Sequence, residues 1–217
     1  MAEIICVIGS KGGTGKTTVS HMLGEGLGLL GQRPVVVLTD SDRTFLGRER
    51  RRYLMADARS DAALARVAGK LQGLDGWIGI IDGRGGHAER DAELGRWATL
   101  IVLPFRDSPE DMRSVARDLE RFPNAMALPS QWPSNPWQRE AAERLKRDRL
   151  AGFEDRIFDP VHAVSSSKLL LLEEPPKDLP APLRKACRGL AEQALNWLEA
   201  ARVLGRVPLG GAGAPPA

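Results

Sequence analysis

A glycine-rich loop near the start of the chain constrains the fold of these 217 residues more than any other feature. The loop, KGGTGKT from Lys11 to Thr17, follows the apolar run EIICVI and precedes the stretch KTTVSHMLGEGLGLL. Glycines here let backbone N–H groups close around phosphate oxygens, and the start of a helix adds a favourable dipole. Lys16 is expected to bridge the β- and γ-phosphates of ATP, and the Thr17 hydroxyl to ligate Mg²⁺. A tight glycine turn with an incidental lysine is the alternative.

Apolar runs alternate with amphipathic stretches along the whole chain, and this alternation predicts an α/β fold. The predicted strands span residues 4–8, 35–38, 77–81, 100–103, 125–128 and 156–158. The predicted helices span residues 16–30, 62–71, 89–97, 109–121, 136–150 and 181–203, with Ser108 as a cap before Pro109. We expect a P-loop NTPase fold in one domain, residues 1–205, with a mostly parallel sheet flanked by helices on both faces. Residues 206–217, rich in glycine, proline and alanine, are expected to be a flexible tail.

Three acidic residues follow predicted strands, at the edge where parallel sheets bind ligands. Asp40 and Asp42 follow the run VVVLT, and Asp82 ends the run WIGII. Such aspartates can serve a nucleotide site, although turn formation and helix capping also explain a pair of aspartates after a strand.

The loop departs from the common pattern G-x-x-x-x-G-K-[ST], because Ser10 stands at the first glycine and Lys11 precedes two glycines. The sequence KGGTGKT resembles the deviant Walker A motif of the ParA/MinD family of P-loop ATPases, K-G-G-x-G-K-[ST]. In that family the early lysine crosses a face-to-face dimer and touches the phosphates held by the other subunit. The resemblance, which is greatest to small ParA-type partition ATPases, assigns this role to Lys11. A solvated loop lysine is the alternative.

The resemblance implies a complete site for ATP and Mg²⁺. It makes Lys11, Lys16 and Asp42 catalytic, with Asp42 orienting the attacking water. It makes Thr17, Asp40 and Asp82 the residues of the magnesium shell. The ATP-binding residues that it implies are Lys11, Gly12, Gly13, Thr14, Gly15, Lys16, Thr17 and Thr18.

Some residues of the site differ from the family pattern. Arg43 and Thr44 replace the Pro-Gln that usually follows the aspartates. The segment 83–86 resembles the flexible switch II loop, but it contains Arg84, either a charge sensor or a surface residue. The segments NAMALPSQW and FDPVHAV stand where family members contact adenine, without the usual Asn-Arg or Thr-Arg.

Positive charge is unevenly distributed in a chain whose net charge is only +3. The run of residues 43–52 has five arginines and one glutamate. Basic surface of this kind can follow a phosphate backbone without reading bases, although a solvated helix face is the simpler explanation for any one cluster. The candidates for contact with non-specific DNA are Arg144, Lys146, Arg147, Arg149, Lys185 and Arg188.

These features lead us to expect a cytoplasmic, nucleoid-associated ATPase that positions a plasmid, a chromosome region or a protein assembly. The resemblance implies a homodimer in the ATP state and an adaptor protein that stimulates hydrolysis. No membrane binding is expected, because the stretch from residue 201 to 217 is broken by glycine and proline where a basic amphipathic helix would be needed. A MinD-like membrane-associated ATPase and a non-hydrolysing scaffold are the alternative functions. Cys6 and Cys187 have no metal-binding spacing and are expected to be buried thiols.

Overall fold

The computed structural model describes residues 2–47, 49–86 and 88–203, so the predicted tail lies outside the described residues. The strands found there are β1 (Glu3–Val7), β2 (Arg33–Leu38), β3 (Leu54–Asp57), β4 (Trp77–Asp82), β5 (Leu100–Phe105), β6 (Ala125–Trp132) and β7 (Val161–His162). The helices are α1 (Lys16–Leu29), α2 (Asp61–Gln72), α3 (Ala88–Trp97), α4 (Pro109–Arg121), α5 (Pro136–Arg149) and α6 (Ala181–Val203). Two 3₁₀ segments, Glu154–Arg156 and Ser165–Leu171, lie between α5 and α6.

The strands form one parallel sheet in the order β3-β2-β4-β1-β5-β6-β7. Alternate residues of each central strand enter two separate cores, because side chains of a strand point to opposite faces. In β1, Ile5 and Val7 pack in the core formed with α1 and α6, whereas Ile4 and Cys6 pack in the core formed with α2 to α5. Because helices cover both faces of these strands, the strand sequences are apolar without interruption.

The predicted fold class is confirmed, and the bounds of α4 and α6 agree with the predicted helices. Ser108 caps α4 as expected, since its hydroxyl accepts a hydrogen bond from the Asp111 N–H at 3.1 Å. Both cysteines are buried free thiols, as expected. Among the described residues, no helix is both long enough and apolar enough to span a bilayer.

Two predictions of strands were wrong. The sequence did not predict β3, which is an edge strand with half-exposed residues and therefore lacks a fully apolar run. The predicted strand at 156–158 is instead the end of a 3₁₀ segment, with only Ile157 bridging to Ala127 of β6. The strand that completes the sheet lies four residues further on, at Val161 and His162.

Candidate nucleotide-binding site

The candidate site lies at the carboxyl ends of three adjacent strands. In the sheet, Asp82 of β4 is level with Val7 of β1 on one side and with Leu38 of β2 on the other. The hydroxyl of Thr39, which follows β2, donates to the main-chain oxygen of Asp82 at 2.6 Å. The phosphate loop (residues 9–17), Asp82 and the aspartates after β2 therefore meet at one edge of the sheet.

The backbone of the phosphate loop is shaped to receive an anion. Gly13 and Gly15 have φ values of +77° and +95°, in the left-handed region that favours glycine. Gly15 precedes α1 without a side-chain cap, so the first N–H groups of α1 remain available to a ligand. Thr14 is buried, and its hydroxyl has no hydrogen-bond partner in the described structure. Unpartnered donors at a helix start are what a phosphate group would satisfy.

Lys16 is held inside this loop by main-chain oxygens. Its ammonium donates to the carbonyl of Lys11 at 2.6 Å and to that of Gly9 at 3.3 Å. The residue is only 7% exposed, and burial lowers the pKa of its ammonium despite the nearby aspartates. A Cβ on Gly85 would lie 2.7 Å from the Lys16 nitrogen and 3.3 Å from the Gly12 Cα, so a side chain there would crowd the lysine and the phosphate loop. The geometry places a buried cation in a cradle of backbone.

Lys11 has a different environment from Lys16. Its ammonium forms an ion pair with Asp111 in the first turn of α4, and its side chain is 40% exposed. Asp111 also accepts from the Arg106 N–H at 3.0 Å and from the Ser108 hydroxyl at 2.9 Å. Burial would raise the pKa of Asp111, but these hydrogen bonds hold it below the usual value. Lys11 is thus directed away from its own phosphate loop and onto α4.

Asp82 has one carboxylate oxygen that fits a cation. Ser20 donates to Oδ1 at 3.1 Å, whereas Oδ2 is buried with no hydrogen-bond partner, and the Thr17 hydroxyl is close enough to lower the pKa of this carboxyl group. Burial raises the pKa of Asp82 to about 6. The described residues contain no cluster of three or more metal-ligating side chains. A single carboxylate with one unpartnered oxygen, as in Asp82, fits Mg²⁺, which is usually bound by one or two carboxylates together with waters and substrate phosphates.

Arg84 connects the loop after β4 to both aspartates that follow β2. Its guanidinium lies 2.9 Å from Oδ2 of Asp42 and 3.6 Å from Oδ1 of Asp40, and it donates to the Ser41 hydroxyl at 3.2 Å. Arg43 also lies 3.6 Å from Asp40. The loop after β4 and the segment after β2 are therefore held together by charge, and the Asp42 side chain is 74% exposed.

The two segments expected near the base do come together. Gln131, from NAMALPSQW, and His162, from FDPVHAV, line a small cavity with Gly15 and Thr18. Gln131 has a φ of +52°, which is uncommon for a residue other than glycine. The two tryptophans nearby have different environments, since Trp132 is fully buried and Trp137 is 81% exposed.

Sequence reasoning missed three buried aspartates that surround the phosphate loop. Asp111 pairs with Lys11, and Asp118 accepts from the N–H and hydroxyl of Ser10. Asp91 of α3 is 2% exposed, is near Gly9 and Lys16, and has one oxygen without a partner. Burial raises the pKa of Asp91 to about 6. In the sequence these aspartates lie on ordinary amphipathic helices, so only the packing of α3 and α4 reveals them.

The structure places the candidate DNA-contacting residues in two separate groups. Arg144, Arg147 and Arg149 of α5 are exposed, whereas Lys146 pairs with Glu143 at 2.6 Å and lies over the Trp132 ring. On α6, Lys185 is exposed and Arg188 pairs with Glu192 at 2.8 Å. Because α5 and α6 pack in different cores, the two groups lie on opposite faces of the sheet.

Solved structures share this fold, although no protein-family model and no curated protein sequence matches the chain. The MinD cell division protein of Aquifex aeolicus superposes with a TM-score of 0.69 at 14% identity, covering 90% of this chain and 97% of that one. A putative plasmid partition protein of Borrelia burgdorferi bound to AMPPNP gives 0.65 at 12% identity, with coverages of 90% and 99%. A complex of a Cyanothece McdA variant with ATP gives 0.64 at 16% identity, with coverages of 90% and 96%. The chain has the fold of the MinD and ParA proteins.

Proposed function

We propose that this chain is a small ParA-type ATPase that dimerises in the ATP state and hydrolyses ATP to position or partition a cargo. The observation that carries the proposal is the different environment of two lysines in one phosphate loop. Lys16 is buried on main-chain oxygens, where an incoming phosphate would replace them. Lys11 is partly exposed and faces away from that cradle. One lysine thus serves the chain's own nucleotide, and the other, once released from Asp111, can serve the nucleotide of a partner.

Binding of ATP begins with the cradle. The ammonium of Lys16 leaves the carbonyls of Gly9 and Lys11 for the phosphate oxygens, and the Thr14 hydroxyl gains a partner. Backbone N–H groups from Gly12 to Thr18 surround the phosphates. Thr17, Asp40 and Asp82 would hold Mg²⁺, which neutralises charge on the β- and γ-phosphate oxygens when it is bound.

Hydrolysis needs two further groups, Asp42 and Lys11. Asp42, released from Arg84, accepts a hydrogen bond from the attacking water and orients it. Lys11, released from Asp111, crosses the dimer and places its charge against the γ-phosphate of the other subunit. A cation at that point stabilises the charge that spreads over the departing group. Because each subunit supplies Lys11 to the other, dimerisation becomes dependent on ATP.

The cavity beside Gly15 is our candidate for the base. Thr18 and Met22 form one wall, and Gln131 and His162 form the other. The Gln131 amide can donate to and accept from the edge of adenine, as an asparagine or glutamine amide commonly does.

The proposed function includes two kinds of macromolecular partner. Non-specific DNA would bind to exposed arginines and lysines of α5 or α6, which implies a nucleoid-associated protein in the cytoplasm. An adaptor protein would stimulate hydrolysis and link the ATPase to its cargo. The fold resemblance to a putative plasmid partition protein and to MinD supports this class of function.

Molar mass and ATP turnover of purified variants test the proposal. We expect a dimer with ATP and a monomer with ADP for the wild type. Lys11→Ala should lose turnover by at least about 10-fold, as trans-supplied cations usually contribute more than this. Asp42→Ala should stop hydrolysis while retaining the ATP dimer, and Lys70→Ala, an exposed lysine on α2, is the matched control. A monomer in every nucleotide state would contradict the proposal, and an ATP dimer without turnover would indicate a scaffold.

A further inference from the structure

The arginine run before β3 forms part of a pocket that the nucleotide site does not use. Arg50, Arg51 and Arg52 line a cavity of about 200 Å³ together with Lys177, which precedes α6. Among the residues that line it, four are cationic and one, Glu25, is anionic. We call these five residues the arginine pocket. It lies on the α1 and α6 face of the sheet, since Leu170 and Leu179 of its wall belong to that core.

Arg51 is held in a fixed position in the arginine pocket by main-chain oxygens. Its guanidinium donates to the carbonyl oxygens of Gly47 at 2.8 Å and Leu170 at 3.0 Å, and also to that of Leu172. Because carbonyl oxygens are neutral acceptors, they orient the guanidinium without neutralising its positive charge. Tyr53, two residues after Arg51, is buried and hydrogen-bonded to His21 of α1 at 2.6 Å. The pocket is therefore a preformed part of the fold.

Close contact with α1 also positions the arginines. A Cβ on Gly28 would lie 2.4 Å from the carbonyl oxygen of Arg52, so the absence of a side chain on Gly28 lets this segment lie against the helix. Burial raises the pKa of Glu25, the one carboxylate in the lining, although Arg52 counteracts this.

The other two arginines are only loosely paired. Arg50 lies 3.7 Å from Glu174 and Arg52 lies 3.3 Å from Glu25, and both arginine side chains are more than half exposed. The Arg50–Glu174 pair is exposed on both sides and contributes little, whereas Arg52 pairs with the buried carboxylate of Glu25. Lys177 is exposed and has no ion pair within the described part of the chain. Arg50 and Lys177 can therefore turn toward an incoming anion at small cost, while Arg52 adds its charge from its position beside Glu25.

We propose that the arginine pocket binds a phosphate group of the backbone of duplex DNA. Guanidinium groups favour phosphate because their planar forks bind its oxygens in pairs. The cavity is smaller than the roughly 300–1,000 Å³ typical of small-molecule pockets, so it suits one phosphate whose remaining chain stays outside. The pocket adjoins the start of α6 through Lys177 and Leu179, and the exposed residues of that helix include Arg184, Lys185 and Arg188, the last of which pairs with Glu192. The proposal rests on the proposed function, and within it assigns DNA to the α6 face and not to the α5 face.

The test is retention of a duplex by the ATP-bound protein over a range of salt concentrations. The variant is Arg50→Ala combined with Arg52→Ala, because Arg51 supports the fold. The control combines Arg113→Ala with Arg117→Ala, two exposed arginines on α4. Loss of one phosphate contact should weaken retention and reduce the slope of log affinity against log salt by about 1. The control should change neither the retention nor the slope. Lys177→Ala, which removes one exposed cation, should also weaken retention.

The outcomes separate the pocket from the proposed function. Normal ATP-dependent dimerisation of the pocket variant with weaker retention and a smaller slope supports the pocket. Wild-type retention and slope in both the double variant and Lys177→Ala would overturn the pocket and leave the ATPase proposal intact. A wild type that dimerises with ATP but retains no duplex would overturn DNA binding as a whole. Inorganic phosphate is the second probe: if it binds at the pocket but does not compete with DNA, the site is one for a free anion and the proposal is wrong.

Discussion

The phosphate loop and the arginine pocket both gather positive charge, but they do so in different ways. In the phosphate loop, Lys16 is buried and rests on two main-chain oxygens within seven residues of its own position. In the arginine pocket, Arg50 and Arg52 are half exposed and rest loosely on glutamates from α1 and from the segment before α6. The first arrangement is local and is built by glycines. The second exists only because remote segments pack together.

This difference predicts different ligand behaviour. A buried cation surrounded by backbone donors binds one phosphate geometry, and salt screens it weakly. Half-exposed arginines bind phosphate with less geometric selectivity, and salt weakens them strongly. We therefore expect the phosphate loop to bind one defined nucleotide and the arginine pocket to bind the repeating phosphates of a DNA backbone.

The largest effect is expected for Lys16→Ala. Removing a buried ammonium that contacts the phosphates should weaken ATP binding by on the order of 100-fold, because charge-assisted hydrogen bonds are the strong ones. Equilibrium titration with a fluorescent ATP analogue measures this loss. The matched change Lys177→Ala, in the arginine pocket, should leave the ATP affinity unchanged. Equal losses for the two variants would remove the distinction between the two regions.

The two regions also differ in how far the sequence could predict them. The strand, glycines, Lys16 and Thr17 lie within one short stretch, so their proposed roles follow from a single motif. Asp40 and Asp82 were predictable because parallel strands end at a common edge. The sequence showed the positive charge of the arginine run. It did not show that Arg51 donates hydrogen bonds to the carbonyl oxygens of Leu170 and Leu172, about 120 positions away. No periodic pattern contains that information.

The surroundings of Lys11 show the same limit within the nucleotide site. The resemblance suggested a role for Lys11, but nothing in the sequence indicated its ion pair with Asp111 of α4. Asp111 follows the capping residue Ser108 by three positions, so the sequence suggested only the start of a helix. Similarly, β3 was missed because an edge strand with half-exposed residues lacks the fully apolar run that predicted its neighbours.

A smaller effect is expected for Arg84→Ala, which tests whether Arg84 holds the loop after β4 to the segment after β2. Arg84 and Mg²⁺ would compete for the aspartates after β2, so removing the arginine should lower the Mg²⁺ concentration needed for ATP binding. We expect a change of about 2- to 5-fold, the size of a partly exposed ion pair. Titration of Mg²⁺ at fixed nucleotide concentration measures it, with Arg113→Ala as the control. An increased Mg²⁺ requirement would show instead that Arg84 helps to build the site.

The smallest effect concerns the buried carboxylate behind the phosphate loop. Burial raises the pKa of Asp91 to about 6, so between its ordinary pKa of 3.8 and about 6 the folded chain binds a proton that the unfolded chain has released. Ionisation of Asp91 in the unfolded chain therefore lowers the free energy of unfolding as pH rises through this window. Asp91→Asn should reduce that loss between about pH 4 and about pH 6.5 in urea unfolding. A wild type and a variant with parallel pH profiles would show that Asp91 titrates normally.

The central claim is that Lys11 acts on the nucleotide of the other subunit, and mixing two inactive variants tests it most directly. Lys11→Ala retains its own Asp42, and Asp42→Ala retains a Lys11 that it can supply to a partner. A two-fold dimer of the two has one complete site, so an equal mixture should recover roughly a quarter of wild-type turnover. If the mixture is no more active than the sum of its two parts, Lys11 does not act across a dimer and the account is contradicted.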